Sequence, residues 1–206
     1  MQRQAYIISH CSISNNTVYK NGEQLFADAA ENIQQFLLKV YRHLEIDYPK
    51  FYKMDNLSKL GFLASEYLLL DVPVVHKQEE ISIVLTNAHA SLDTDVKYFH
   101  TTETGASPAL FVYTLPNIVI GEICIRNKFK GENAFFVFEK FNAAFTAQYV
   151  TDLFSSSNTK LCLCGWVDIL DETYKAVLFL VSAHATDNTL LFNEENMMRI
   201  FKSVQA

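Results

Sequence analysis

A layered α/β domain with a mostly parallel sheet is the architecture this sequence points to. Short apolar runs of strand length alternate with longer segments of helical periodicity, in the order β-α-α-β-α-β-α-β-β-α. Half of the 206 residues are hydrophobic and 19% are charged, which suits a sizeable core and argues against disorder. No internal repeat or linker divides the chain, so residues 1–206 read as a single domain.

The elements follow in order. Ala5–Ser9 is an apolar run suited to a buried first strand, closed by a polar turn at Asn15 and Asn16. Gln24 to Leu44 carries Leu25, Ala29, Ile33, Phe36, Leu37, Val40 and Leu44 on one helical stripe, with Asp28, Glu31 and Lys39 opposite. Asp55 is placed to cap a second helix whose apolar positions are Leu57, Leu60, Ala64, Tyr67 and Leu68. Ile81–Thr86 is the next strand, followed by a polar stretch from Asn87 to Gly105. Ala134–Phe138 is apolar enough for a central strand. Asn142 then caps a helix to Phe154 that is apolar almost all round and so expected to be buried. Leu161–Val167 and Ala176–Ala183 read as strands joined by a tight turn at Asp171–Thr173, hence antiparallel. Asn193 caps a last helix over Glu194–Val204.

Charge and composition exclude several functions. A net charge of −6 and a pI near 5.5 leave no basic surplus for a nucleic-acid backbone. No apolar stretch approaches the length of a membrane span, and no signal peptide opens the chain, so a cytoplasmic protein is expected. Cys11, Cys124, Cys162 and Cys164 lack the paired spacing of a zinc site and read as buried free thiols. No metal or cofactor is implied.

One segment is more specific. Ser107 to Asn133 reads SPALFVYTLPNIVIGEICIRNKFKGEN. Ser107-Pro108 is a turn, Pro116 suits the first turn of a helix, and Gly121 within that helix would allow another backbone to come close. This pattern resembles the N-terminal domain of the β-ketoacyl synthases: Ser-Pro, a Phe and a Thr, an Asn, a small-residue helix and a closing Gly before the nucleophile strand. Met54-Asp55 with the helix to Leu70, and the strand Ile81–Thr86, stand where that family has similar elements. Asn87-Ala88-His89-Ala90 departs from it, because the family's turn there is rich in glycine.

The resemblance implies half of a thiolase-like fold, a layered five-stranded mixed sheet with helices on both faces, dimerised through one edge. It also implies that the segment matching Phe111 to Asn117 lies at the dimer interface, so Phe111, Thr114 and Asn117 become candidate interface residues. A plain core role for Phe111 is the alternative.

The family's chemistry has no counterpart here. Its cysteine nucleophile falls at Lys140, nine positions beyond Gly131 and flanked by Glu139 and Phe141. No cysteine occurs from 125 to 161. The two catalytic histidines belong to a C-terminal half that has no match in these 206 residues. His10, His43, His76, His89, His100 and His184 read as surface or satisfied polar residues; His89 stands out because its loop follows a strand, where α/β sites commonly lie. The family's long excursion between Gly165 and Lys175 is replaced by a short turn, which should leave any pocket open or absent. Asp93, Asp95 and Glu103 read as solvated loop carboxylates, and Lys140 as a structural or pocket-filling replacement rather than a reactive amine.

Three functions are then in competition. The first is a non-catalytic, chain-length-factor-like subunit pairing with an active β-ketoacyl synthase in a fatty acid, polyketide or aryl-polyene pathway, or self-associating. The second is a stand-alone protein binding an acyl chain or an acyl carrier protein, with Arg126, Lys128 and Lys130 as the basic cluster facing an acidic carrier. The third is a thiol enzyme with chemistry moved to Cys162 or Cys164.

Overall fold

A computed structural model describes residues 4–103, 105–185 and 189–204. The chain begins as an antiparallel meander of β1 (Tyr6–Ser14), β2 (Thr17–Lys20) and β3 (Glu23–Ala27). Its turns are Asn15-Asn16 and Asn21-Gly22, and all four residues are left-handed, the turn geometry that matches strand twist. This meander corrects the expected helix from Gln24. Leu25 and Phe26 fit an apolar stripe of either period, and the Asn-Gly turn ahead of them selects the hairpin. The helix, α1, spans only Ile33–His43.

The remaining strands are β4 (Ile81–Asn87), β5 (Asn133–Val137), β6 (Leu161–Leu170), β7 (Thr173–Ser182) and β8 (Leu190–Leu191). They form one eight-stranded sheet in the order β3-β2-β1-β7-β6-β4-β5, with β8 beside the start of β1. The expected five strands and mostly parallel pairing are both corrected. Only β4–β5 and β4–β6 are parallel: links of two residues force β1–β2, β2–β3 and β6–β7 antiparallel, and β1 also runs antiparallel to β7 and β8. The β6–β7 hairpin turns at Asp171, as the short link requires.

Helices cover both faces. One face carries α1, α2 (Asn56–Leu69) and α5 (Ile118–Asn127), packed side by side. Since α2 lies over β1, β6 and β7, α5 is left at the β5 side of the sheet. The other face carries α6 (Ala143–Ser156) and α7 (Glu194–Ser203). Asp55, Asn142 and Asn193 cap α2, α6 and α7 as expected, each accepting the backbone N–H three residues on. The helix expected to be buried all round, α6, is half covered: Ala143, Thr146, Val150 and Phe154 are buried, whereas Ala144 and Gln148 are exposed.

The polar stretch after β4 contains a helix, α3 (Leu92–Thr101), followed by the single turn α4 (Pro108–Phe111). Its polarity is reversed. Asp93 and Thr94 are its buried residues, and Leu92, Val96 and Phe99 face outward. Asp93 is therefore no solvated loop carboxylate: it accepts the Asp171 N–H at 3.2 Å and pairs with Lys97 at 2.6 Å. No helix among the described residues is long and apolar enough to cross a membrane.

Candidate functional site

Three strands run parallel in the order β6-β4-β5. After β4 the chain turns to the α5 face; after β5 it turns to the α6 face. The carboxyl ends of β4 and β5 therefore flank a topological switch point, the place where open α/β sheets bind ligands.

The loop leaving β4 is held by two side chains. Asn87 clamps it by accepting the Ala90 N–H at 3.0 Å and donating to the Ala90 carbonyl at 2.8 Å, which holds Ala90 in the left-handed region. Asp168, on β6, accepts the N–H groups of Ala88 and His89, both at 3.0 Å, and its second oxygen lies 2.8 Å from His89 Nδ1. Opposite a carboxylate oxygen, Nδ1 is the donor of this contact. His89, singled out by its loop, thus has a partner that sequence reasoning missed. The available signal was a lone aspartate in the otherwise apolar strand β6, where a charge requires partners.

The loop leaving β5 is joined to the first by the Phe138 N–H, which donates to the Asn87 carbonyl at 2.9 Å. Glu139 and Lys140 are exposed, two or three residues ahead of the α6 cap Asn142. Phe141 points away into the core, 4.6 Å from the ring of Phe201 on α7 and edge-on to Trp166. It is a packing residue between α6 and α7, not a wall of the site.

The segment 111–117 is tied to the same end of the sheet. Ser91 Oγ donates to the Thr114 carbonyl at 2.8 Å, and Thr114 in turn donates to the Phe111 carbonyl. Phe111 is 60% exposed and touches only the Tyr98 ring among its described aromatic neighbours, so the core role is excluded. Asn117 precedes α5, exposed and without a side-chain cap bond. Of the exposed large apolar side chains, Leu92, Val96, Phe99, Val112, Leu115, Ile125 and Val137 fall between residues 92 and 137, and Tyr52, Leu70, Val74, Val75 and Leu191 lie elsewhere in the chain.

Neither alternative chemistry is favoured by its residues. Cys162 and Cys164 are fully buried, and burial together with the neighbouring thiol pushes Cys164 well above its ordinary value. Of the basic trio only Arg126 is firmly engaged, and Lys128 and Lys130 are exposed. Arg126 binds Glu66 through two nitrogens and lies over the Tyr48 ring, while Lys130 sits 4.0 Å from Glu79. No cluster of three metal-ligating side chains occurs among the described residues.

No protein-family model matches the chain, and no curated protein matches it. Solved structures do. The ishigamide ketosynthase/chain length factor aligns with a TM-score of 0.65 at 17% identity, covering 89% of this chain and 63% of that one. A type II polyketide ketosynthase (AntDE) bound to its acyl carrier protein (AntF) aligns at 0.58 and 14%, covering 88% and 64%. The ketosynthase ApeO in complex with its chain length factor ApeC, from Xenorhabdus doucetiae, aligns at 0.57 and 15%, covering 88% and 80%. At these identities the likeness is one of fold. The fold is a thiolase-like half, the class expected from residues 107–133. The chain spans less than two thirds of the first two of these structures.

Proposed function

We propose that this chain is a non-catalytic ketosynthase-like subunit that pairs with an active β-ketoacyl synthase, in the manner of a chain length factor. One observation carries the reading. The ketosynthase-like fold is kept, and Val137 on the unpaired edge strand β5 and Ile125 on α5 are exposed, while the resemblance puts Lys140 where that family has its cysteine. Exposed apolar side chains on an unpaired edge strand favour a protein partner. Phe111, Thr114 and Asn117 would meet that partner, and the site at the strand ends, with His89, Asp168 and Lys140, would lie close to the interface rather than turn over substrate.

Support also comes from what several of the similar structures are: ketosynthases solved with chain length factors or with a carrier protein. Co-expression with complete, cysteine-bearing β-ketoacyl synthases of the same genome tests the reading. A stable one-to-one complex with an altered product-length distribution is expected, lost on Val137→Lys. Synthases that purify alone, with unchanged products, would rule it out.

A further inference from the structure

The parallel strands leave a cleft at their amino ends. Glu79 precedes β4, Asn133 opens β5, and residues 155–159 lead from the end of α6 to β6; together they line about 660 Å³. Gly131 shapes it. A Cβ there would sit 2.4 Å from the Ile81 carbonyl oxygen, so glycine lets the turn carrying Lys130 and Glu132 lie against the start of β4. The Lys130 N–H donates to the Gln78 carbonyl at 2.8 Å and the Gly131 N–H to the Ile81 carbonyl at 3.1 Å, which fixes that turn.

The walls are rich in acceptors. Ser155 Oγ donates to the Thr151 carbonyl at 3.1 Å, Ser156 Oγ to that of Asp152 at 2.7 Å, and Ser157 Oγ to that of Leu153 at 2.8 Å. Their protons are committed to the helix, so these hydroxyls offer a ligand lone pairs. The helix itself carries no basic side chain in its last turn, which leaves the negative end of its dipole uncompensated. Glu79 and Glu132 add two carboxylates. Among the described lining residues the one ammonium is Lys130, 4.0 Å from Glu79.

We infer that this cleft binds an aliphatic di- or polyamine, one ammonium taking the place of Lys130 beside Glu79 and another meeting the end of α6. Acceptors lie on two walls, the strand-side turn and the helix end, and so suit cations joined by a spacer. A bare metal ion is disfavoured, since no group of three metal-ligating side chains occurs among the described residues. A protein partner is disfavoured too, because among the described lining residues no aromatic or apolar side chain could anchor one. The inference is independent of the proposed function, which concerns the carboxyl ends of the strands and the exposed side chains of β5 and α5.

Titration of the isotope-labelled full chain with spermidine, followed by amide chemical shifts, tests this. Physiological ionic strength screens diffuse attraction to a chain of net charge −6. Saturable shifts should gather at residues 130–133 and 155–159. Glu79→Gln combined with Glu132→Gln should weaken binding roughly tenfold or more. Lys130→Ala removes the competing ammonium and should tighten binding about threefold, the scale of one exposed ion pair. Lys128→Ala makes the same change in net charge outside the cleft and should leave the affinity as it is. Shifts that never saturate or scatter over the acidic surface would overturn the inference. So would equal tightening by Lys128→Ala, or glycerol reproducing the spermidine shifts.

Discussion

The helices α7 and α3 show opposite solutions to the same problem. Each is ten residues long. In α7, Met197 and Ile200 are buried, Phe201 stacks on Phe141, and Glu194, Glu195 and Lys202 face water. Lys175 fixes its end, donating to the Val204 carbonyl at 2.7 Å with the ammonium 4.2 Å from the Phe201 ring. In α3 the buried residues are Asp93 and Thr94, and the exposed ones include Phe99. The face under α7 is completed by the chain itself. The stretch from α3 to Leu115 is held by Asp93, Thr94 and Ser91 and turns Leu92, Val96, Phe99, Phe111, Val112 and Leu115 outward, which under the proposed function is a surface for a partner.

That contrast predicts the largest stability effects on the α7 side. Phe141→Ala removes a buried ring lying against Phe201, Phe179 and Trp166 and should cost about 3–4 kcal/mol by urea unfolding. A loss under 1 kcal/mol would mean that α7 is only loosely docked and that this face too is unfinished. Asp168→Ala should cost about 2–3 kcal/mol, since it orphans two backbone N–H groups and the imidazole that hold the β4 loop. Its expected signature is a His89 resonance shift accompanied by amide exchange at Ala88 and His89. Stability lost without such local exchange would place the effect elsewhere.

How far the sequence reveals this molecule follows the same division. Regions that obey ordinary amphipathicity were legible: the Asp55, Asn142 and Asn193 caps, the strand Ile81–Asn87, the β6–β7 hairpin and the final helix all stand where the pattern puts them. The α3 helix was hidden because its period is intact but its polarity is inverted, so that Asp93 and Asp95 read as a loop. The meander was hidden by a short stretch, Glu23–Ala27, whose apolar pair fits either period; Asn21-Gly22 was the overlooked cue. At the site, Lys140 rests on the resemblance alone, whereas the His89–Asp168 pair joins residues far apart in sequence and needs the β4–β6 register to appear.

Acid sharpens the contrast further. His10, on β1 opposite Phe179, has its pKa held below the ordinary 6.5 by burial and by the Arg199 charge on α7. The folded state thus keeps the imidazole neutral where the unfolded chain would protonate it. This contribution to stability is complete above pH 6.5 and is lost as the pH falls toward the folded-state value. Urea midpoints should therefore drop between pH 7 and 5.5, with a smaller drop in His10→Gln. Identical pH profiles for the two proteins would show that α7 does not bury this histidine.

The smallest stability effect is expected on the α3 side, and there its smallness is the informative result. Phe99 is 67% exposed and Phe111 60%, so replacing either by serine removes little buried area from the isolated chain. Each should shift unfolding of a dissociated chain by no more than about 0.5 kcal/mol. Under the proposed function these two aromatics are kept for a contact outside the chain rather than for their own fold. The same two variants should accordingly weaken the complex with a β-ketoacyl synthase, read as faster dissociation by surface plasmon resonance. If Phe99→Ser or Phe111→Ser instead destabilised the lone chain as much as Phe141→Ala does, these rings would belong to its core after all, and the distinction between the completed and the open face would collapse.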